Sequence, residues 1–333
     1  MGGTYFIRLS NYSPFFEKGF TGVLQGCPIA YFATIGFDSA ACYSKETKNP
    51  NKNIPLAIVI SITFSAFIYV SLSFVLTGMA DIQDVPEADA LGGIAWAFKQ
   101  NGSGVISLIV SIGALVGLTC TTFVCLLSQP RVFMSISEDG LLCKLFQKMN
   151  PKTNVLTASS LITGVGAMLF AGLFKFKYLA SSISLACLFG YGVVSVGIIT
   201  NRYRESAKPL LRTSYILVFI VLSIICGFAF SSSWDCKYIV ILACMILLVG
   251  ICIHFGTFQQ TCIPTKYACP LVPMVPMISI FANFFMFGTV DFLSWMITIV
   301  FFVIGGLMYF TYGIRNSKLG KERLIAITTN KIE

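Results

Sequence analysis

The chain consists largely of long apolar segments separated by short polar stretches. A helix that crosses the hydrocarbon core of a bilayer needs about 20 mostly apolar residues, and such segments recur along the sequence. Two of them carry no charged residue over 26 consecutive positions, and they lack the alternation of barrel strands. Because lipid leaves helices or closed barrels as the spanning structures, the pattern predicts an all-α polytopic membrane protein. The predicted spans cover residues 23–44, 54–79, 103–128, 155–174, 178–200, 213–234, 238–258, 270–290 and 292–314.

Composition supports this prediction and argues against several other classes of protein. Hydrophobic residues make up 56% of the 333 residues and charged residues 11%, so a soluble core of this length could not bury the apolar side chains. The net charge is +9, but the basic residues lie in short clusters between the spans and form no basic face. Nucleic acid is therefore not an expected partner. We find no nucleophile–base pair or phosphate-binding loop, so neither an enzyme nor a cofactor is expected. Cys262 and Cys269 flank a loop without a second pair, and no metal site is expected.

Basic residues divide unevenly between the two sets of alternate flanks. Seventeen of the 23 lysines and arginines lie in one set and six in the other. Since cytoplasmic loops carry an excess of Lys and Arg, residues 1–22 are expected outside the cell and residues 315–333 in the cytoplasm. Asn11 and Asn101 each begin an Asn-x-Ser sequon that then falls outside, so both are candidate N-glycosylation sites. The expected location is the plasma membrane.

The first predicted span differs from the others in its polar and helix-breaking residues. It contains Gly26, Pro28 and Gly36, and it holds Asp38, an acid within a predicted span. A charged side chain at membrane depth is costly and commonly marks a functional site. A span interrupted by glycine can also unwind, provided that protein or a wet cavity satisfies its backbone. The alternative is a glycine packing site with Asp38 near the cytoplasmic end, where it reaches water.

Three blocks of sequence carry a resemblance that extends nearly from end to end. The blocks are YFATIGFDSAACYSKETKNPNKNIPLAIVISI, then PRVFMSISEDGLL, then VPMVPMISIFANFFMF together with YFTYGIRNS. They are similar, respectively, to the sixth span and following loop, to the signature after the eighth span, and to the last two spans of one family. That family is the cationic amino acid transporters, within the amino acid-polyamine-organocation superfamily.

This resemblance implies an architecture for the chain. The family has a LeuT-type core of two inverted five-span repeats, followed by four trailing transmembrane helices. Residues 23–200 would form the second repeat, residues 201–212 a cytoplasmic loop, and residues 213–314 the four trailing helices. Nine spans against the family's fourteen imply that about five spans precede this region in relatives. We therefore expect that the chain does not transport alone, and that a missing N-terminal half or a second copy is a partner.

The resemblance also implies a substrate site at the midplane, at the break of the first span. The backbone around Tyr31, Phe32 and Ala33 would receive the α-amino group of the substrate, and Phe32 would also act as an aromatic gate. Ile35 and Gly36 would line the pocket. Asp38 would lie just beyond the break.

The implied function is transport of cationic amino acids such as arginine, lysine and ornithine by alternating access across the lipid bilayer. One alternative is a permease of the same superfamily for neutral amino acids or polyamines, and another is a non-transporting sensor. Leu185, Ala186 and Cys187 follow Ser184 where the family usually shows Ile-Gly-Thr, a departure that bears on substrate choice.

Overall fold

The computed structural model describes residues 5–13, 19–37, 39–43, 47–80, 93–150, 155–204, 209–232, 237–256, 268–318 and 320. Their regular structure is helical. The helices are α1 (Gly19–Phe32), α2 (Ser39–Cys42), α3 (Pro50–Met79), α4 (Gly93–Gln100), α5 (Gly104–Glu138), α6 (Thr157–Leu173), α7 (Phe176–Arg202), α8 (Pro209–Ser231), α9 (Lys237–Gly256), α10 (Met274–Phe287), α11 (Phe292–Met308) and α12 (Ile314–Asn316). A π-helical turn, Tyr309–Gly313, joins α11 to α12 without a break in the helix.

The predicted all-α polytopic class is confirmed. Among the described residues, six helices are long and apolar enough to cross a membrane: α3, α5, α7, α8, α9 and the continuous α11–α12. The other three predicted spans contain shorter helices, of 17 residues in α6 and 14 residues each in α1 and α10. At about 1.5 Å per residue, a 14-residue helix covers about 21 Å, less than the hydrocarbon core of about 30 Å. In α1 and α10 the helix alone is therefore shorter than the hydrocarbon core, and the three corresponding spans stay predictions.

Several helix ends differ from the predicted bounds. Helix α5 continues from the predicted end at residue 128 to Glu138, through Pro130 and Arg131. A hydropathy window ends where charge begins, whereas the helix itself can continue into water. Similarly, α1 begins at Gly19, within the segment 1–22 that was expected to lie outside, and α8 begins at Pro209, within the expected loop 201–212.

The short helix α4 was not predicted. It is amphipathic, with Ala97 and Phe98 buried while Lys99 and Gln100 are exposed. Its buried side packs near the end of α3 at Met79, and the ring of Phe98 meets Phe6 edge-on. These residues form a small apolar cluster that is separate from the main core.

The main core lies where α7, α8, α9 and α10 meet. In lipid, helices associate through close packing and polar bonds rather than through exclusion of water, so small residues at the contacts are decisive. A Cβ on Gly227 of α8 would overlap the carbonyl of Phe285 in α10, and a Cβ on Gly288, just after α10, would overlap the backbone of Gly227 and Phe228. On α7, a Cβ on Gly192 would overlap the ring of Phe284 in α10. Helix α11 packs on α7, where Ser182 donates to the carbonyl of Ser294 at 3.2 Å.

The two helices of the first span, α1 and α2, contact different groups of helices. Helix α1 packs with the first group, α7, α8 and α10. Helix α2 instead contacts α3 and α5, whose most apolar 18-residue windows contain no buried residue. The two halves of the first span are therefore held by different sets of helices.

Candidate functional site

The first span is interrupted where its glycine content indicated. Helix α1 ends at Phe32, residues 33–37 form turns, and α2 begins at Ser39. Gly36 has a φ of +127°, a conformation that L side chains rarely adopt, so the chain needs glycine to turn there. Pro28 lies one turn before the end of α1 and lacks the N–H that would complete the helical ladder. Asp38 lies outside the described residues.

A tyrosine from α3 holds the backbone of the break. The Oη of Tyr69 donates a hydrogen bond to the carbonyl oxygen of Ala33 at 2.9 Å. Within the break, the Oγ1 of Thr34 donates to the carbonyl of Tyr31 at 2.8 Å. The amide N–H of Ile35 donates to the carbonyl of Phe32 at 3.3 Å. The carbonyls of Tyr31, Phe32 and Ala33, predicted to receive the substrate, thus already accept internal hydrogen bonds.

Two further carbonyls of the break lie slightly further along the chain. No described residue donates a hydrogen bond to the carbonyl oxygen of Thr34 or of Ile35. Unpaired carbonyls are costly at membrane depth unless a wet cavity or a ligand satisfies them. The carbonyls of Thr34 and Ile35 are therefore further acceptors beside the predicted stretch.

A small cavity of about 170 Å³ opens between the break and α3. Its lining consists of residues 33–37 together with Ser61, Ile62, Ser65 and Tyr69. The structure thus brings Ala33, Ile35 and Gly36 together at one cavity.

Sequence reasoning missed the α3 side of this cavity, although a signal was present. Ser61, Ser65 and Tyr69 recur at four-residue intervals in a helix that is apolar at most of its other positions. Residues four apart lie on one face of a helix, so this pattern predicts a polar ridge. We call Ser61, Ser65 and Tyr69 the α3 hydroxyl ridge.

Phe32 does not line this cavity. Its ring packs edge-on against Phe176, the first residue of α7, with the ring centroids 6.0 Å apart. Phe176 is itself 55% exposed, so the aromatic pair lies at the open surface of the packed helices. An aromatic side chain in this position can cover the end of α1.

Tyr31 points toward α7 and α10 rather than into the cavity. Its ring meets the ring of Tyr191 at 6.1 Å, and its Oη donates a long hydrogen bond, 3.4 Å, to the Oδ1 of Asn283. Tyr191 also stacks on Phe37 at 5.2 Å, so one α7 side chain contacts both sides of the break. Asn283 in turn donates from Nδ2 to the carbonyl of Ser279 at 2.8 Å. Tyr31 is therefore an anchor of α1 through its side chain.

The two candidate glycosylation sites lie close together at the end of α3. The Nδ2 of Asn11 donates to the carbonyl of Gly78 at 3.1 Å. The Nδ2 of Asn101 donates to the carbonyls of Met79 and Ala97, at 3.1 and 2.9 Å. Both sequons therefore lie at the same end of α3. A glycan on Asn101 would replace one of the two Nδ2 hydrogens, both of which are hydrogen-bonded. In Asn11 only one of the two Nδ2 hydrogens is bonded, so a glycan could replace the other without loss of a hydrogen bond.

Larger cavities lie in other parts of the described chain. No group of three or more His, Cys, Asp or Glu side chains that could hold a metal ion occurs among the described residues. A larger cavity of about 890 Å³ lies between α5, α6 and α11, and its walls are almost wholly apolar. A further cavity of about 590 Å³ beside α2 and α5 is lined in part by Arg131, Glu138 and Asp139. We take the cavity at the break as the candidate functional site because it borders the interruption of the first span.

Comparison with known proteins gives consistent matches. The family model described as amino acid permease matches residues 2–234, and the model described as the C-terminus of AA_permease matches residues 267–317. The chain is 30% identical over 322 residues to Cationic amino acid transporter 9, chloroplastic, of Arabidopsis thaliana, covering 93% of this chain and 56% of that protein. It is 26% identical over 381 residues to Cationic amino acid transporter 4 of Mus musculus, covering 96% and 59%. It is also 26% identical over 319 residues to the Methylthioribose transporter of Bacillus subtilis (strain 168), covering 96% and 57%.

The chain spans somewhat more than half the length of these relatives. The first family match includes the break of the first span and α3, which line the cavity, and also α7. The relatives are transporters, in agreement with the expectation that the chain is not an enzyme. Because matches in the same order account for nearly all of the described helices, the chain belongs to the amino acid permease family.

Proposed function

We propose that the protein containing this chain transports cationic amino acids, such as arginine, lysine and ornithine, by alternating access. The observation that carries the proposal is the broken first span, whose unwound residues 33–37 border a polar cavity between two groups of helices. The names of two relatives, which include the words cationic amino acid transporter, support the substrate class.

The electrostatics of the break favour the α-amino group of a substrate. The carbonyl end of α1 lies at the break, and the end of a helix where carbonyls are free carries a partial negative charge of about half an electron. The carbonyls of Thr34 and Ile35, to which no described residue donates, add two acceptors for an ammonium group, which has three donors and no acceptor. Gly36 keeps the backbone open beside them. In this proposal Asp38 lies just beyond the break and strengthens the negative field.

The gate proposed at Phe32 follows from its position at the end of α1. Phe32 contacts Phe176 of α7, so a movement of α7 relative to α3 would carry the aromatic pair toward or away from the cavity. The two halves of the first span are held by different groups of helices. Alternating access requires such groups to move around a shared site, and turns at 33–37 can absorb the change in backbone angles.

Neutral amino acids are the second candidate class of substrate. No described residue that lines the cavity carries a charged side chain, so nothing in the described walls pairs with a cationic side chain. A transporter for neutral amino acids needs the α-amino and α-carboxyl contacts alone. Transport of arginine therefore requires an acid from outside the described walls.

The architecture around the site remains part of the proposal. We propose that residues 23–200 are the second repeat of a LeuT-type core and residues 213–314 four trailing helices. The open faces of α3 and α5 support the presence of a partner, either an N-terminal half or a second copy, that packs against them. We further propose residues 1–22 outside, residues 315–333 in the cytoplasm, and the plasma membrane as location, although one relative is named as chloroplastic.

The test is uptake of labelled substrates by the full-length gene product in proteoliposomes. The panel is arginine, leucine, spermidine and methylthioribose, with lysine and ornithine as competitors. Saturable arginine uptake that lysine and ornithine inhibit supports the proposal. Leucine uptake that arginine does not inhibit establishes the second candidate, and absence of saturable uptake of every compound refutes amino acid transport.

A further inference from the structure

Two arginines lie buried where α7 ends and α8 begins. Arg202 is the last residue of α7 and is 5% exposed, and Arg212 is the fourth residue of α8 and is 8% exposed. We call residues 202–204 and 209–212 the α7–α8 junction. A guanidinium is positively charged and carries five N–H donors, so its burial is costly unless acceptors or an anion surround it. The partners of these two side chains therefore indicate what the junction can bind.

Arg212 uses only one edge of its guanidinium. Helical side chains tilt toward the N-terminus of their helix, and Nη1 of Arg212 donates to the carbonyl oxygen of Tyr203, which follows α7. The Nε atom is fully buried and has no hydrogen-bond partner among the described residues. Nη2, which lies beside Nε on the other edge, likewise donates to no described residue. Parallel donors of this kind match two oxygens of a phosphate or a carboxylate.

Capping of α7 accounts for the Nη1 edge alone. The C-terminal end of a helix carries a partial negative charge of about half an electron, and a basic side chain that bonds the last carbonyls is common there. Arg202 lies at the same end and donates from Nη2 to the carbonyl of Cys269 at 3.1 Å. Two full positive charges thus share one partial negative charge. The Nε–Nη2 edge of Arg212 is left for an anion.

The first turn of α8 adds donors beside this arginine. Pro209 has no N–H, and the N–H groups of Leu210 and Leu211 donate to no described residue. The N-terminus of a helix, here one of 23 residues, carries a partial positive charge that favours phosphate and carboxylate groups. Residues 202–212 contain four basic residues and one acid. Donors and charge therefore both point to an anion.

Aromatic packing fixes the carbonyl that orients Arg212. Tyr203 is buried, and its ring meets the ring of Phe255 in α9 edge-on, with the centroids 5.8 Å apart. Phe255 also meets Tyr215 of α8 at 6.3 Å. Arg212 is thus held in place between packed helices before any ligand arrives. A side chain that is already ordered loses little entropy on binding.

We propose that the α7–α8 junction binds a phosphate group, to which Arg212 donates from Nε and Nη2 and α8 donates from its first N–H groups. A phosphate offers at least three acceptor oxygens, enough for the arginine edge and the helix together, whereas a carboxylate offers two. The phosphate belongs either to an anionic phospholipid, which basic segments next to spans attract, or to a soluble molecule. This site is separate from the broken span and goes beyond the proposed transport function.

The proposal is tested by thermal stabilisation of the purified full-length protein in detergent, because a ligand that binds the folded state raises the unfolding temperature. One probe is sodium phosphate, against sodium acetate and sodium chloride at equal ionic strength. The other is dioctanoyl phosphatidic acid, against dioctanoyl phosphatidylcholine. Arg212→Gln keeps a donor for the carbonyl of Tyr203, and Arg212→Lys keeps the charge without the paired donors. Arg204→Gln is the matched control, since it removes the same charge from an exposed arginine of the junction.

We expect at least one phosphate probe to stabilise the wild type. Arg212→Gln should weaken its apparent affinity about 10- to 100-fold, as expected for loss of a paired hydrogen bond to a charged group, and Arg212→Lys about 3- to 10-fold. Arg204→Gln should change it by about 2-fold or less, as for a screened surface charge. The unfolding temperature without ligand shows whether each variant folds, and Arg212→Lys decides if Arg212→Gln does not.

Four results overturn the proposal. They are the failure of both phosphate probes to stabilise the wild type, equal stabilisation by acetate, wild-type affinity in the Arg212 variants, and an equal loss of affinity in Arg204→Gln.

The two probes also distinguish the sources of the phosphate. Stabilisation by phosphatidic acid alone assigns the site to a lipid headgroup. Stabilisation by inorganic phosphate, with the same dependence on Arg212, assigns it to a soluble phosphate.

Discussion

Gly36→Ala tests whether the break depends on the backbone conformation that glycine allows. Gly36 has a φ of +127°, and an added Cβ would meet no atom within 4 Å. The substitution therefore introduces backbone strain without a steric clash. Gly26 provides the control, because it lies in α1 of the same span, has no positive φ and likewise has open space for a Cβ.

The strain has a definite size. Backbone held in a conformation that is essentially restricted to glycine costs about 1–3 kcal/mol for another residue. A protein with a stability of about 5–15 kcal/mol would remain folded. The same energy corresponds to a change of about 5- to 150-fold in the population of the broken conformation or in substrate affinity. Gly26→Ala should instead be neutral or stabilise the helix by about 0.5–1 kcal/mol.

The assay combines thermal unfolding of purified protein with the concentration dependence of arginine uptake. We expect Gly36→Ala to lower the unfolding temperature and to raise the KM for arginine, while Gly26→Ala does neither. If both variants unfold and transport like the wild type, the break does not need the glycine conformation. The interpretation of residues 33–37 as a strained functional turn would then be wrong.

Three further predictions concern packing, gating and glycosylation. Gly227→Ala should destabilise the contact of α8 with α10, because the added Cβ would overlap the carbonyl of Phe285. Gly250→Ala is the control, since its Cβ would enter open space. Equal unfolding temperatures of the two variants would contradict this prediction. Phe32→Ala and Asp38→Asn should both reduce arginine uptake at equal surface expression, through loss of the gate and of the negative field, and normal uptake in both would leave the segment a packing element. Asn11→Gln should abolish a glycosidase-sensitive shift in gel mobility, and a shift that persists in this variant would place the glycan elsewhere.

The helical architecture could be predicted because a long, uninterrupted apolar run in a membrane protein is almost always a helix. The run that became α3 contains no charged residue over its predicted length, and its helix includes every residue of that run. The extension of α5 to Glu138 could not be predicted, since a helix that continues into water leaves no hydropathy signal. The amphipathic α4 was missed because, at only 8 residues, it is too short to give a hydropathy signal of its own.

The site could be predicted in part. Gly36 and the nearby Asp38 indicated from the sequence that the first span is unusual, and the structure has a break at Gly36. The bond from Tyr69 to Ala33 joins residues 36 positions apart, and the contact of Tyr31 with Asn283 spans 252 positions. Such pairings depend on how helices pack, which one sequence does not reveal. The spacing of Ser61, Ser65 and Tyr69 was visible in the sequence. Because α3 is mostly apolar, however, the sequence identified it only as a membrane span.

The most direct measurement is arginine uptake by full-length protein in which the cavity at the break has been filled. Ser65→Leu places an apolar side chain at the cavity in a helix that tolerates apolar residues, and Thr63→Leu makes a similar change two residues away, outside the cavity lining. The account predicts saturable, lysine-inhibited arginine uptake by the wild type and by Thr63→Leu, and loss of uptake by Ser65→Leu at equal protein content. Wild-type uptake by Ser65→Leu would contradict the claim that the transported amino acid binds at this break.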